Sequence, residues 1–376
     1  MKKGFTTGSC AAAAGKAAAY MLLGGVRKER IEIDTPAGGK YCPLIEETEI
    51  CEDCVSCAVR KEAGDDPDVT DGILIFAKVR RMGSEKDGGR VMIKGGEGVG
   101  TVTRPGLDQP VGAYAINSVP RRMIENEVRQ VMELFDYRGD LEIEISVPDG
   151  KRLSKKTFNP RLGIEGGISI IGTTGIVEPM STEALIETIR LELGQIKALG
   201  AEIAVVSPGN YGMAYIKNNF GYDLDRAVKC SNYIGKTIDM AADMGFRRML
   251  LCGHVGKLIK LYGGIMNTHS READCRMELM AAAALRCGAS ESAARDILNC
   301  VSAEEAAGIY VREGILKPCF DHIMERTAFY LDKRGGGRIG IECMIYSDSF
   351  GMLGETEKAG AFMKEAKGGA GTAFEN

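Results

Sequence analysis

The rhythm of apolar and polar positions changes near the middle of the chain. Before about residue 157, apolar residues come in short alternating runs at 31–34, 73–79, 90–94 and 141–147, bounded by glycine, proline and aspartate. That pattern predicts strands and tight turns. Helical patterning occurs there in two segments. Residues 9–23 are nearly all alanine, with Ser9 placed to cap the start and Gly24-Gly25 to stop it. A second segment runs from Pro120 to about Phe135, with proline in its first turn. This half reads as α+β.

From about Gly166 the pattern becomes apolar run, glycine loop, helix. The apolar run at 168–171 leads into GTTG (172–175) and a helix over 181–199; the run at 203–206 is broken by Ser207-Pro208-Gly209-Asn210. A helix at about 232–244 precedes the run at 249–252 and the loop GHVGK (253–257). Helices are expected over 271–286, 291–300, 303–313 and 321–333, and a last strand over 339–346. Short, wholly apolar strands between helices indicate a parallel sheet covered on both faces. No internal repeat is visible. The expected organisation is an α+β domain (1–160), an α/β domain with a mainly parallel sheet and glycine-rich ligand loops (161–355), and a flexible tail (356–376).

Composition narrows the partners. The 376 residues carry 48 basic and 52 acidic side chains, a net charge of −4. This near balance gives no electrostatic reason to expect nucleic acid or an anionic membrane. No apolar run approaches bilayer length. Lys2 and Lys3 precede an alanine-rich stretch, but Thr6, Thr7, Gly8, Ser9 and Lys16 interrupt it, so a signal peptide is not expected. The 12 scattered cysteines read as reduced thiols in a cytoplasm.

Ligands of open α/β sheets bind at the carboxyl ends of the strands. Three polar glycine loops are expected at one such edge. They offer Gly172, Thr173, Thr174 and Gly175; Gly209 and Asn210; and Gly253 and Gly256 as a candidate ligand site, with backbone amides turned toward an anionic group. Any one alone is equally a strand-to-helix turn. GHVGK lacks the GxxxxGK[ST] spacing of a nucleotide phosphate loop. Within it His254 is a candidate acid or base, and Lys257 a cation for a substrate carboxylate. His269 opens the following helix beside Thr268 and Ser270.

Three further segments carry candidate chemistry. GDDPDVTDG (64–72) concentrates Asp65, Asp66, Asp68 and Asp71, either a self-capped turn or acceptors for a ligand or divalent ion. GGEGVGTVTRPGL (95–107) has dinucleotide-like glycines without the helix that should follow. CEDCVSC (51–57) spaces Cys51, Cys54 and Cys57 as zinc or iron–sulfur ligands are spaced, yet no Cys-Pro ending follows, and no metal site is expected.

Six ordered blocks resemble the CbiD family, the cobalt-precorrin-5B C1-methyltransferases of anaerobic cobalamin biosynthesis. They are FTTGSCAAAAGKAAA (5–19), KEAGDDPDVTDG (61–72), GGEGVGTVTRPGL (95–107), AINSVPRRMI (115–124), KKTFNPRLGIEGGISIIGTTGIVEPMS (155–181) and GHVGKLIKLYGGIMNTHSREAD (253–274). Ser118 stands where the family pattern suggests proline. The resemblance implies S-adenosylmethionine as methyl donor, cobalt-precorrin-6A as product, and a fold other than the usual corrin methyltransferase fold. The glycine loops would then hold the donor. Asp65, Asp66, Asp68, Arg104, Arg121, Arg122, Arg161, Lys257 and Arg271 would face the carboxylate-bearing corrin, and His254 or His269 would take up a proton or orient the ring. It also leaves room for transient handover of substrate from other enzymes of the pathway. The competing readings are a magnesium- and ATP-dependent phosphotransferase using the acidic loop, and a non-catalytic tetrapyrrole or iron–sulfur carrier.

Overall fold

The computed structural model describes residues 2–83, 89–157, 159–160, 162–179 and 181–368. It divides into two compact units, Met1–Thr182 and Glu183–Asn376. In the first, α1 (Thr7–Gly24) and α2 (Ser118–Leu134) lie against each other. Their sheet comprises β1 (Glu46–Ile50), β2 (Cys54–Arg60), β3 (Leu74–Met82), β4 (Val91–Gly95) and β5 (Asp140–Ser146), in the order β1-β2-β3-β5-β4. All its pairings are antiparallel except β4 with β5.

Helix α1 buries alanine on every side against α2, β2 and β3. An apolar helix without a polar face is stable only when surrounded, and methyl side chains let its neighbours approach closely. It begins one turn earlier than its alanine run suggests, because Thr6, not Ser9, is the cap and accepts from the Ser9 amide at 3.2 Å. Gly25, at φ 66°, ends it.

The second unit contains α3 (Thr182–Ala198), β6 (Ile203–Ser207), α4 (Asn210–Phe220), β7 (Ala227–Lys229), α5 (Ile234–Asp243) and β8 (Arg248–His254). A single helical turn, Val255–Leu258, capped by His254, and a 3-10 stretch, Ile259–Gly263, follow β8, and then come four longer helices: α6 (Arg276–Arg286), α7 (Glu291–Leu298), α8 (Ala303–Arg312) and α9 (Leu316–Gly335). The chain then closes with β9 (Gly340–Ser347), β10 (Gly351–Glu355) and α10 (Ala359–Gly368). The sheet order is β7-β6-β8-β9-β10, parallel except for the edge strand β10.

Period-two alternation sorts the two faces of this sheet. Ile203, Val205, Leu250, Cys252, Met344 and Tyr346 pack with α4 and α10. Ala204, Val206, Met249, Leu251, Cys343 and Ile345 turn the other way, onto α3, α5, α6 and α9. The expected mainly parallel sheet with both faces covered is therefore present.

Several expectations are corrected. The run at 168–171 is not a strand of the parallel sheet. Ile168 and Ile170 bridge to Val99 and Ile116 in the first unit, and Ile176-Val177 pairs with Gly4-Phe5 there. These bonds carry the unit boundary from the expected residue 160 to residue 182. The tail is not wholly loose either: Ala359 and Met363 of α10 are buried, while residues 369–376 lie outside the described residues. Helix α6 starts at Arg276, the residues from 271 being turn and coil. Strands β1, β2, β7 and β10 and helices α4 and α10 lie outside the expected elements. Among the described residues, no helix is long and apolar enough to cross a membrane.

Candidate functional site

The carboxyl edge of the second sheet gathers polar loops at its topological switch point. From β6 the chain passes through α4 to β7 on one side, while β8 lies on the other side of β6. A crevice at such a reversal is where α/β proteins hold ligands. Two of the glycine loops meet there, for Lys257 Nζ donates to the Pro208 carbonyl at 3.3 Å. Helix α4 opens with Gly209 as a cap that has no side chain, leaving its first-turn amides available to an acceptor. Asn210 Oδ1 accepts from Lys229 Nζ at 3.0 Å, which sets a second cation at this edge. Tyr211, 78% exposed, stands in the same turn. In the sequence it is one polar-loop residue of SPGNYG (207–212), with no periodicity to mark it.

Close packing explains the glycines. A β-carbon on Gly212 would stand 2.0 Å from Ser207 Oγ, and one on Gly253 would touch Leu258 and Pro208 at 3.0 Å. Burial lowers the pKa of Lys257, and the neighbouring Lys229 and Lys260 act in the same direction. An anion bound here would relieve both effects.

His254 is engaged at both nitrogens. Its Nδ1 accepts from the Gly256 amide at 3.1 Å, so the neutral ring carries its proton on Nε2, which donates to Glu304 Oε1 at 2.7 Å. In this tautomer neither nitrogen of His254, a candidate acid or base, keeps a lone pair for a substrate proton. His269 is built alike: its Nδ1 accepts from the Arg271 amide at 3.0 Å. Its exposed ring therefore presents an Nε2–H donor rather than a base.

The loop carrying His269 and Arg271 is pinned by the buried Lys260, which donates to Thr268 O at 3.1 Å and Ala273 O at 2.6 Å. Thr268 N–H reaches Asn232 O at 3.0 Å, beside the end of β7. Arg271 is exposed at that rim.

GTTG, expected at the same edge, lies instead in the first unit, against the start of α1. Gly175 O accepts from Ser9 Oγ at 2.7 Å, and the Thr7 hydroxyl accepts from the Ile171 amide at 2.8 Å. Thr174 O accepts from Ala37 N–H at 3.0 Å. Gly172 has φ 140°, and a β-carbon on it would stand 2.2 Å from Thr6 Oγ1. Thr173 is exposed.

Most of the other candidates in that unit bind their own chain. Asp68 takes the buried ammonium of Lys61 at 2.7 Å and the Thr70 amide at 2.8 Å. Burial opposes its charge, but Lys61 and Thr70 together hold its carboxyl below the usual range. Asp65 accepts from the Lys2 amide and Asp71 from the Ala63 amide. Asp66 turns within the same loop, its amide donating to Ala63 O at 3.4 Å. Arg121 donates to the carbonyls of Ile116 and Ile93, so its guanidinium is held by the fold. Arg104 lies against Gly163, Arg122 is exposed, and Arg161 lies outside the described residues.

Ser118, the departure from the family pattern, donates through its amide and its hydroxyl to Asp108. Proline there would remove the amide donor. In β2, Cys54 and Cys57 stand three residues apart and so point to opposite faces. Cys57 is buried, donating to Ala14 O at 3.3 Å, whereas Cys51 is exposed at the hairpin. One ion cannot reach both Cys54 and the buried Cys57 on opposite faces of this strand together with Cys51 at the hairpin.

Comparison with known proteins gives one family for both units. Residues 1–179 match the model of CbiD and residues 267–357 that of the CbiD C-terminal domain. A cobalt-precorrin-5B C(1)-methyltransferase of Ruminiclostridium cellulolyticum is 47% identical over 93% of this chain and 89% of its own. The enzyme of that name from Alkaliphilus metalliredigens is 43% identical over 98% and 95%. A crystal structure of the cobalamin biosynthesis protein cbiD from Archaeoglobus fulgidus shares 28% identity over 72% of this chain and 83% of its own, with a TM-score of 0.38. With its family models matched in both units and relatives alike along nearly their whole length, this chain is a member of the CbiD family.

Proposed function

We propose that this protein methylates C-1 of cobalt-precorrin-5B to give cobalt-precorrin-6A, acting in the cytoplasm in anaerobic cobalamin biosynthesis on a scaffold other than the usual corrin methyltransferase fold. The observation that carries the reading is the meeting of the Pro208 and Lys257 loops at a switch point, in a chain whose relatives bear that enzyme's name. S-adenosylmethionine supplies the methyl group. Its carboxylate suits the bare amides at the start of α4 together with Lys229 and Lys257.

The residues at this edge then have separable tasks. Gly209, Asn210, Gly253 and Gly256 allow close backbone approach to the donor, and Lys257 neutralises its carboxylate. Tyr211 offers a flat apolar face to a ring. Arg271, with the Nε2–H of His269, suits the carboxylates on the rim of the corrin. As the ring carbon attacks, the carbon–carbon bond forms while the carbon–sulfur bond breaks; that bond's electron pair neutralises the sulfur, and the positive charge passes to the conjugated macrocycle. Such a step depends on alignment and exclusion of water more than on a strong base, which agrees with two histidines whose Nδ1 atoms already accept protein amides.

Calorimetric titration with S-adenosylhomocysteine in the absence of metal tests the donor assignment. Saturable binding with thermal stabilisation supports it. Stabilisation only by ATP with magnesium would move the reading to a phosphotransferase.

A further inference from the structure

Glu304 lies in the first turn of α8 and gathers donors from the ends of two strands. Its Oε1 accepts from His254 Nε2–H at 2.7 Å and from the Asp348 amide at 3.0 Å, and its Oε2 accepts from the Ser347 hydroxyl at 2.7 Å. Ser347 Oγ in turn accepts the amides of Ser349 and Phe350, at 3.2 and 3.0 Å. Partial burial works against the charge of Glu304, yet the hydrogen bonds from Ser347, Asp348, Ser349 and His254 prevail and hold its pKa below the usual glutamate value.

Helix α8 does not need this carboxylate to begin. Ser302 Oγ accepts from the Glu305 amide at 3.2 Å, and Glu305 Oε2 accepts from the Val301 amide at 2.9 Å, which supplies capping from both sides. The side chain of Glu304 points instead to the loops that follow β8 and β9. The first of these, which turns straight into the helical residues Val255–Leu258, carries Gly256 and Lys257.

We infer that Glu304 is a positioning residue of the ligand edge, clamping the loop after β8 through His254 and the loop after β9 through Ser347 and Asp348. It touches neither donor nor substrate. It acts by keeping Gly256 and Lys257 where a ligand meets them, and the inference rests on the reading of this edge as the donor site.

The test uses Glu304→Gln and Glu304→Ala in the full-length protein, with three readouts. In the wild type, the imidazole Nε2–H of His254 should appear as a downfield, slowly exchanging proton resonance. It should move upfield in Glu304→Gln and exchange away in Glu304→Ala. S-adenosylhomocysteine should bind about tenfold more weakly to Glu304→Ala, the lower end of what loss of a supporting partner costs. The Gln variant, which keeps one acceptor oxygen, should recover most of that loss. In turnover the defect should fall on KM, with kcat changed less than about threefold. If Glu304→Ala does not fold, the resonance shift and KM of Glu304→Gln carry the test. Folded variants with an unchanged His254 resonance, or unchanged affinity and KM, would overturn the inference. Failure of the wild type itself to bind S-adenosylhomocysteine would instead overturn the donor assignment.

Discussion

Lys257 Nζ reaches the carbonyl oxygen of Pro208 at 3.3 Å, joining the segments that follow two neighbouring parallel strands at the point where the strand order reverses. The contact leaves a half-buried ammonium beside the uncapped start of α4. Lys257→Met should weaken S-adenosylhomocysteine binding by roughly tenfold, corresponding to about 1.4 kcal/mol, with little loss of Tm. Because burial lowers the pKa of Lys257, anion affinity in the wild type should decline with rising pH before an ordinary lysine would deprotonate. The stability term has the opposite sign. Between the folded and unfolded pKa values the unfolded chain binds more protons, so stability from this group rises with pH. Calorimetry from pH 7 upward, on wild type and variant, separates the two effects.

The buried ion pair of Lys61 with Asp68 should show in stability rather than in ligand binding. Asp68→Ala leaves an ammonium without its counter-charge and should cost roughly 3 kcal/mol, toward the low end for a broken buried pair because Asp68 retains some contact with water. The folded carboxyl has the lower pKa. Its contribution is therefore complete above the unfolded pKa and is lost as pH falls through the folded one. Urea unfolding at neutral pH and below pH 4 checks both statements; equal stability losses at the two pH values would contradict the second.

Gly98 is a backbone crossing in the first unit. It adopts φ 71°, and a β-carbon there would stand 1.8 Å from Val147 O. Its own carbonyl oxygen lies 2.0 and 2.1 Å from where β-carbons on Gly150 and Gly167 would sit. Gly98→Ala should destabilise the protein by at least about 3 kcal/mol. Gly112→Ala, with nothing within 4 Å of its added carbon but φ 87°, should cost only about 1 kcal/mol. Thermal denaturation of the two variants tests the contrast.

Tyr211 and Arg271 stand at the rim of the second sheet's edge with exposed side chains, so changing them should leave Tm within about 1 °C, as is usual for surface positions. Tyr211→Ala should lower kcat/KM by about tenfold through lost stacking, worth about 1–1.5 kcal/mol. Arg271→Ala should raise KM for the corrin while leaving the affinity for S-adenosylhomocysteine unchanged. Equal effects of Arg271→Ala on both ligands would place it at the donor instead.

Legibility in the sequence followed burial. The runs at 203–206, 249–252 and 339–346 announced the parallel strands because both faces of each are covered. Strand β1, EETEI, carries mostly polar side chains at a sheet edge, and helix α4 buries only Gly212, Met213 and Ile216, so neither has a strong period to read. The run at 168–171 looks the same whether its neighbours are β-strands of the second unit or Val99 and Ile116 of the first. That ambiguity displaced GTTG from the expected edge. At the site, the loops at 207–210 and 253–257 were legible as glycine and polar residues following apolar strands. Glu304 was not, because its partners His254 and Ser347 are distant in sequence and lie on other elements.

Incubation of the purified protein with cobalt-precorrin-5B and methyl-labelled S-adenosylmethionine decides whether it transfers a methyl group to a corrin precursor. Label is expected at C-1 of the product, with one S-adenosylhomocysteine released per methyl transferred. Label at another ring position, or donor consumed without label entering the macrocycle, would contradict it.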